Sequence, residues 1–110
     1  MLVIFRSQAA GDVMMFGDVA TRMIALMGKN PAGQGIITAD QLPAAIARLR
    51  AAAADDQANQ AGLRAADLPA FEEAPDGSRR DYVSFNRRAM PLIELLERSL
   101  EQQMPVIWGV

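Results

Sequence analysis

Four apolar residues in succession, Leu2-Val3-Ile4-Phe5, open the pattern along the chain, with β-branched and aromatic members among them. A run of this kind predicts a strand. Side chains alternate across a strand, so Leu2 and Ile4 share one face and Val3 and Phe5 the other. Both faces are apolar, and such a strand wants cover on both sides. Beyond Ser7, with Asp12 as the other candidate cap, Val13, Phe16, Ala20, Met23 and Met27 recur at steps of three and four, with Ile24 beside them. That period predicts an amphipathic helix, with Asp18 and Arg22 as an i,i+4 pair on its polar side. Gly28 followed by Lys29-Asn30-Pro31 predicts its end, a permissive residue and then a helix breaker.

Ile36-Ile37 reads as a short extended piece leading into Thr38, a candidate N-cap, with Gln41 placed to complete a capping box. Pro43 lies five residues past that cap, where its missing N–H would cost a helical bond, so the opening turn is expected to be irregular and the regular helix to start nearer Pro43. Leu42, Ala45, Ile46, Leu49 and Ala53 form a narrow apolar stripe, and Ala51–Ala54 favours helix strongly. From Asp55 to Asp81 the period fails and Pro69, Pro75 and Asp76-Gly77-Ser78 punctuate the chain. A long mobile loop is expected over 55–81. Ser84 caps a third predicted helix, whose apolar side carries Phe85, Ala89, Leu92, Ile93, Leu96 and Leu100, with Pro91 on the polar side. Val106-Ile107-Trp108 predicts a closing strand. The order is β-α-α-α-β, an α+β fold with three helices packed on a small sheet formed by the N- and C-terminal strands. Two strands alone are marginal, so either another edge joins them or the helices cover them closely, and dimerisation through the sheet would supply the missing partner.

Composition narrows the function more than the fold. The chain has 110 residues, and splitting them would leave pieces too small to bury a core, so residues 1–110 read as one domain. Eleven basic residues stand against thirteen acidic ones, for a formal net charge of −2. That balance is no footprint for nucleic acid. Cysteine is absent, which excludes disulfides, thiolate nucleophiles and zinc–sulfur sites. Histidine is absent too, removing the usual metal ligand and the usual general base near neutral pH. The start shows no secretory signal pattern, and no apolar run approaches the roughly 18 residues of a membrane span. The default expectation is a cytoplasmic protein with no cofactor, metal or membrane partner.

Met1-Leu2-Val3-Ile4-Phe5, Met15-Phe16-Gly17-Asp18-Val19-Ala20, Gly35-Ile36-Ile37-Thr38, Leu42-Pro43-Ala44-Ala45-Ile46, Arg88-Ala89-Met90-Pro91-Leu92-Ile93 and Pro105-Val106-Ile107-Trp108-Gly109-Val110 together carry a likeness. On these segments the chain resembles a bacterial family of short proteins classed only as a domain of unknown function. The stretch from Asp55 to Asp81 carries none of it. The resemblance implies no established activity and hence no catalytic residues.

Several groups remain as candidates. Trp108 is of a type enriched at interface hot spots, and equally suited to cover a small sheet with its N–H satisfied at an edge. Met14, expected on the polar face of the first helix, is the other candidate interface residue, whereas Met23 and Met27 belong to the apolar stripe. Arg79, Arg80, Arg87 and Arg88 are spaced to grip an anion or an acidic partner, but Glu72, Glu73, Asp76 and Asp81 lie among them. Tyr82 is the lone aromatic residue placed to stack a base there. The carboxylate pairs Asp55-Asp56, Glu72-Glu73 and Glu94 with Glu97 are neighbours on a loop or an exposed helix rather than a convergent pocket. Ser84 and Ser99 have no histidine to activate them. These residues favour a non-enzymatic protein–protein interaction or regulatory module whose partner is another protein or a second copy. A small carboxylate- or arginine-dependent enzyme, or a weak nucleic-acid binder through Arg79–Arg88, stands as the alternative.

Overall fold

A computed structural model describes residues 2–60 and 69–109. The elements run β1 (Leu2–Ser7), β2 (Ala10–Phe16), α1 (Gly17–Leu26), β3 (Gly35–Ile37), α2 (Leu42–Gln60), β4 (Phe71–Glu73), β5 (Arg79–Asp81), α3 (Phe85–Gln102) and β6 (Val106–Trp108). Four strands form one antiparallel sheet in the order β2-β1-β6-β3, and β4 pairs with β5 as a separate hairpin. The fold is α+β, with three helices on a sheet whose centre is the pair expected from the two terminal runs. Phe5 lies opposite Trp108 in that pair, and the two strands run antiparallel.

The largest departure from the sequence pattern comes directly after β1. Val13 and Phe16 sit on a strand, and the helix begins only at Gly17. Four contiguous apolar residues, Val13-Met14-Met15-Phe16, satisfy a period of two as readily as one of 3.6. Strand pairing decides between them, because β1 would otherwise leave a row of backbone groups unpaired. The hairpin sets Val13 opposite Phe5 and Met15 opposite Val3. Ala9 N–H donates to Ser7 Oγ at 3.1 Å across the tight connection. Between Phe5 and Ser7 the register shifts, and Gly11 with Asp12 together oppose Arg6, a bulge that bends the free edge of β2.

Gly28 ends α1 as its sequence predicts. Its φ of 83° suits glycine alone; Gly28 N–H donates to Ala25 O, and Lys29 N–H to Ile24 O. Thr38 opens α2 through an irregular turn. Its N–H donates to Gln41 Oε1 at 3.1 Å, half of a capping box, and regular helix starts at Leu42 beside Pro43. The stripe Leu42, Ala45, Ile46, Leu49 and Ala53 is buried. The alanine run carries α2 on to Gln60, into the stretch expected to be loop, and residues 71–73 and 79–81 of that stretch form the second hairpin. The remainder of the expected loop, residues 61–68, lies outside the described residues. Ser84 caps α3 by accepting from Arg87 N–H, and Phe85, Ala89, Leu92, Ile93 and Leu96 are buried beneath it.

The core lies between the helices and one face of the sheet. Phe5, Met15, Ile37, Val106 and Trp108 enter it from the strands, and Met23, Ile24, Leu49, Leu92 and Leu96 from the helices. Among the described residues Ser99 is the one buried polar residue; its Oγ lies 2.7 Å from both Leu95 O and Ser7 Oγ, so its hydroxyl is satisfied inside the fold.

Candidate functional site

Alternation along the four strands sorts their side chains onto two faces. Val3, Phe5, Val13, Met15, Ile37, Val106 and Trp108 point to the helices. Leu2, Ile4, Arg6, Met14, Phe16, Ile36 and Ile107 fall on the opposite face, where the register sets Leu2 beside Phe16, Ile4 beside Met14, and Ile107 between Arg6 and Ile36. No helix covers this second face among the described residues. Met14 is 63% exposed, Leu2 57%, Ile36 44% and Phe16 43%. An ion pair interrupts the apolar surface, Arg6 Nε to Asp12 Oδ2 at 3.5 Å. An antiparallel sheet with one wet face normally shows polar residues outward, and this sheet does not.

Met14, one of the two residues expected at an interface, is thus on an exposed strand rather than the polar face of a helix. Trp108 is on the other side of the sheet. Its ring is 2% exposed, its Nε1–H donates to Ala32 O at 3.2 Å, and it lies flat over Gly35. A Cβ at Gly35 would come within 2.2 Å of the indole. Trp108 is therefore a core residue that covers the sheet with its N–H satisfied, and Val106 is buried on the same face. Sequence reasoning missed Leu2, Ile4, Phe16, Ile36 and Ile107 as surface residues. The signal was present in runs that are apolar at every position, Leu2–Phe5, Val13–Phe16, Ile36-Ile37 and Val106–Trp108, where a half-wet strand would alternate.

The second grouping is charged. Arg80 reaches from β5 to Asp18 at the start of α1 through two parallel hydrogen bonds, Nη1 to Oδ1 at 3.0 Å and Nη2 to Oδ2 at 2.7 Å. Its Nε lies 3.5 Å from Glu72 Oε1, and Arg88 Nη2 of α3 donates to that same oxygen. Arg88 Nε–H also donates to Val83 O at 3.1 Å. Asp18, expected to pair with Arg22 along the helix, turns to Arg80 instead, while Arg22 lies 4.8 Å over the Phe85 ring. A cleft of about 190 Å³ opens here, with Asp18, Asp56, Glu72, Arg22, Arg80 and Arg88 on its walls. Hydrogen bonding from Arg80 is the main reason that the Asp18 carboxyl is held below its ordinary pKa, and Asp18 in turn raises that of Arg80. The hydroxyls of Thr38 and Ser78 lower Asp40 and Asp76 in the same way, away from this cleft.

The four arginines proposed as an anion grip do not converge. Arg80 and Arg88 are held by carboxylates, Arg79 is exposed and lies 5.5 Å over the Phe71 ring, and Arg87 is exposed on the first turn of α3. The arrangement ties the β4–β5 hairpin to α1 and α3 through charge-assisted hydrogen bonds. Asp56 likewise accepts from Asn86 N–H at 3.2 Å and caps α3 from a neighbouring helix. Phe16 links the two groupings, since its ring packs beneath the guanidinium groups of Arg80 at 4.6 Å and Arg88 at 6.0 Å. Among the described residues no group of three or more carboxylates is placed to hold a metal ion, and no helix is long and apolar enough to cross a membrane.

Residues 1–108 match a family model described as "Domain of unknown function (DUF1840)", and the chain belongs to that family. The match runs through the middle of the chain as well as the two ends. No curated protein and no solved structure matches this chain.

Proposed function

We propose that this member of the DUF1840 family is a non-enzymatic protein–protein interaction or regulatory module, and that the outward face of its four-stranded sheet is the contact surface. The observation that carries this reading is the apolar face itself, with Leu2, Met14 and Phe16 each more than two-fifths exposed on the paired strands β1 and β2, and Ile36 likewise exposed on β3 beyond Ile107 of β6. Single exposed apolar residues are ordinary on a protein surface, but a contiguous set on a flat sheet marks a place where another surface docks. Composition supports the non-enzymatic half of the reading, because the chain has no histidine or cysteine, and the acids and arginines that meet in the cleft, Asp18, Glu72, Arg80 and Arg88, are engaged with one another.

The test compares chemically cross-linked protein from host cells, wild type against Met14→Glu. Met14 is exposed, so the variant is expected to keep its circular dichroism spectrum and melting temperature. Loss of the cross-linked species in the variant, whether a second copy or another protein, supports the reading. Identical cross-linked species in both proteins would remove the sheet face from the argument.

A further inference from the structure

Resting on that reading, we infer that the surface covering the sheet is the same face of a second copy, packed about a twofold axis that runs along the β1–β2 hairpin. Three observations lead there. The face bears both signs of charge in one adjacent pair, Arg6 at 47% and Asp12 at 55% side-chain exposure. A twofold axis between β1 and β2 sets Arg6 of each copy against Asp12 of the other, so a copy of this face is its own electrostatic complement. The same operation sets Met14 on Ile4, and Leu2 on the part of Phe16 that the Arg80 and Arg88 guanidinium groups leave exposed, with Ile107 and Ile36 at the margin. Joining edge to edge is less favoured: β2 is bent at the bulge of Gly11 and Asp12, and the other edge, β3, is only three residues long.

Size sets the strength. The hairpin is about 20 Å long and about 10 Å across, well short of the roughly 800 Å² per partner of a standard specific interface. The dimer is accordingly weak and reversible, with two sheets face to face and the helices on the outside. A strongly negative or positive chain would oppose it, but a net charge of −2 offers little repulsion between copies.

Charge reversal tests the inference with a readout that a structural role does not move. Arg6→Asp makes the charged pair doubly negative, and Asp12→Arg makes it doubly positive. Sedimentation equilibrium of the purified full chain, up to about millimolar concentration and at low salt, is expected to show a reversible dimer for the wild type. Each single variant is expected to be at least tenfold weaker in self-association. An equimolar mixture of the two variants is expected to recover the dimer, because each then meets its opposite. A wild type that stays monomeric throughout, variants as dimeric as the wild type, or a mixture that recovers nothing would each overturn the second copy as occupant. These outcomes are separable from failure of the broader reading. If Met14→Glu abolishes capture of a different protein while the wild type is monomeric, the face still docks a partner and only its identity as a second copy is lost.

Discussion

The two faces of the four-stranded sheet are made of nearly the same residue types and meet different fates. On the helix side Phe5, Val106 and Trp108 lose essentially all contact with water, and the helices fill every space between them. On the other side Leu2, Ile4, Met14, Phe16, Ile36 and Ile107 form an equally apolar layer that no helix lies across among the described residues, with Phe16 covered in part by the Arg80 and Arg88 guanidinium groups. Burying such side chains stabilises by about 1.5–3 kcal/mol each relative to leaving them wet, so an uncovered layer is a reserve of stabilisation that the isolated chain does not use. Hydrophobicity alone, then, does not say which side of this sheet is core. The helices' own stripes decide it.

The comparison can be broken most forcefully from the covered side. Trp108→Ala should destabilise the fold by about 3–5 kcal/mol, read as a lower midpoint in urea; a loss under 1 kcal/mol would mean that the indole is not the core element described above. Next comes Gly35→Val, which pushes a side chain into the indole where even a Cβ would stand 2.2 Å away. Overpacking of that kind should cost roughly 1–3 kcal/mol, and a neutral result would show that Trp108 has room to move. The charged clamp is smaller. Asp18→Asn breaks the paired hydrogen bonds to Arg80 and should cost about 0.2–1 kcal/mol, appearing as faster amide exchange at Arg79–Asp81 with α3 unaffected. Because the Asp18 pKa is lowered in the folded protein, the clamp is at full strength above the unfolded value of about 3.9. It weakens as pH falls through the lower folded value. An acid titration of the hairpin amides should show that step in the wild type and lose it in Asp18→Asn. The smallest effect belongs to the uncovered side, where Met14→Thr should change monomer stability by no more than about 0.5 kcal/mol. A larger loss in the monomer would mean that the two faces are less different than their exposures indicate.

Much of this architecture is legible in the sequence, and the failures have local causes. The stripes of α2 and α3, the Ser84 cap and the Gly28 stop are written in periodicity and in residues with specific backbone demands. The β1–β2 hairpin is not, because its connection is Gln8-Ala9, without the Asn-Gly or Asp-Gly that marks a tight turn, and because Val13–Phe16 fits either period. The β4–β5 hairpin is hidden for a different reason. Its strands are three residues each and mostly charged, so only the turn Pro75-Asp76-Gly77-Ser78 leaves a mark. Of the candidate interface residues, Met14 and Trp108 were paired by residue type, and they lie on opposite sides of one sheet. Residue type nominates a hot spot, but strand parity assigns its side, and parity depends on a register that no single sequence displays.

The placement of β6 also governs the order of assembly. The last strand in sequence is an interior strand of the sheet, lying between the first and third, and Phe5 must find Trp108 across nearly the whole chain. A contact of that span is entropically expensive to close and slows folding. Until it forms, the β1–β2 hairpin and β3 each present an open hydrogen-bonding edge at the site β6 will occupy. Any partly folded population of this protein is therefore a pair of unjoined half-sheets awaiting a single strand, and the rate at which Val106–Trp108 docks sets how long those edges stay available to the wrong neighbour.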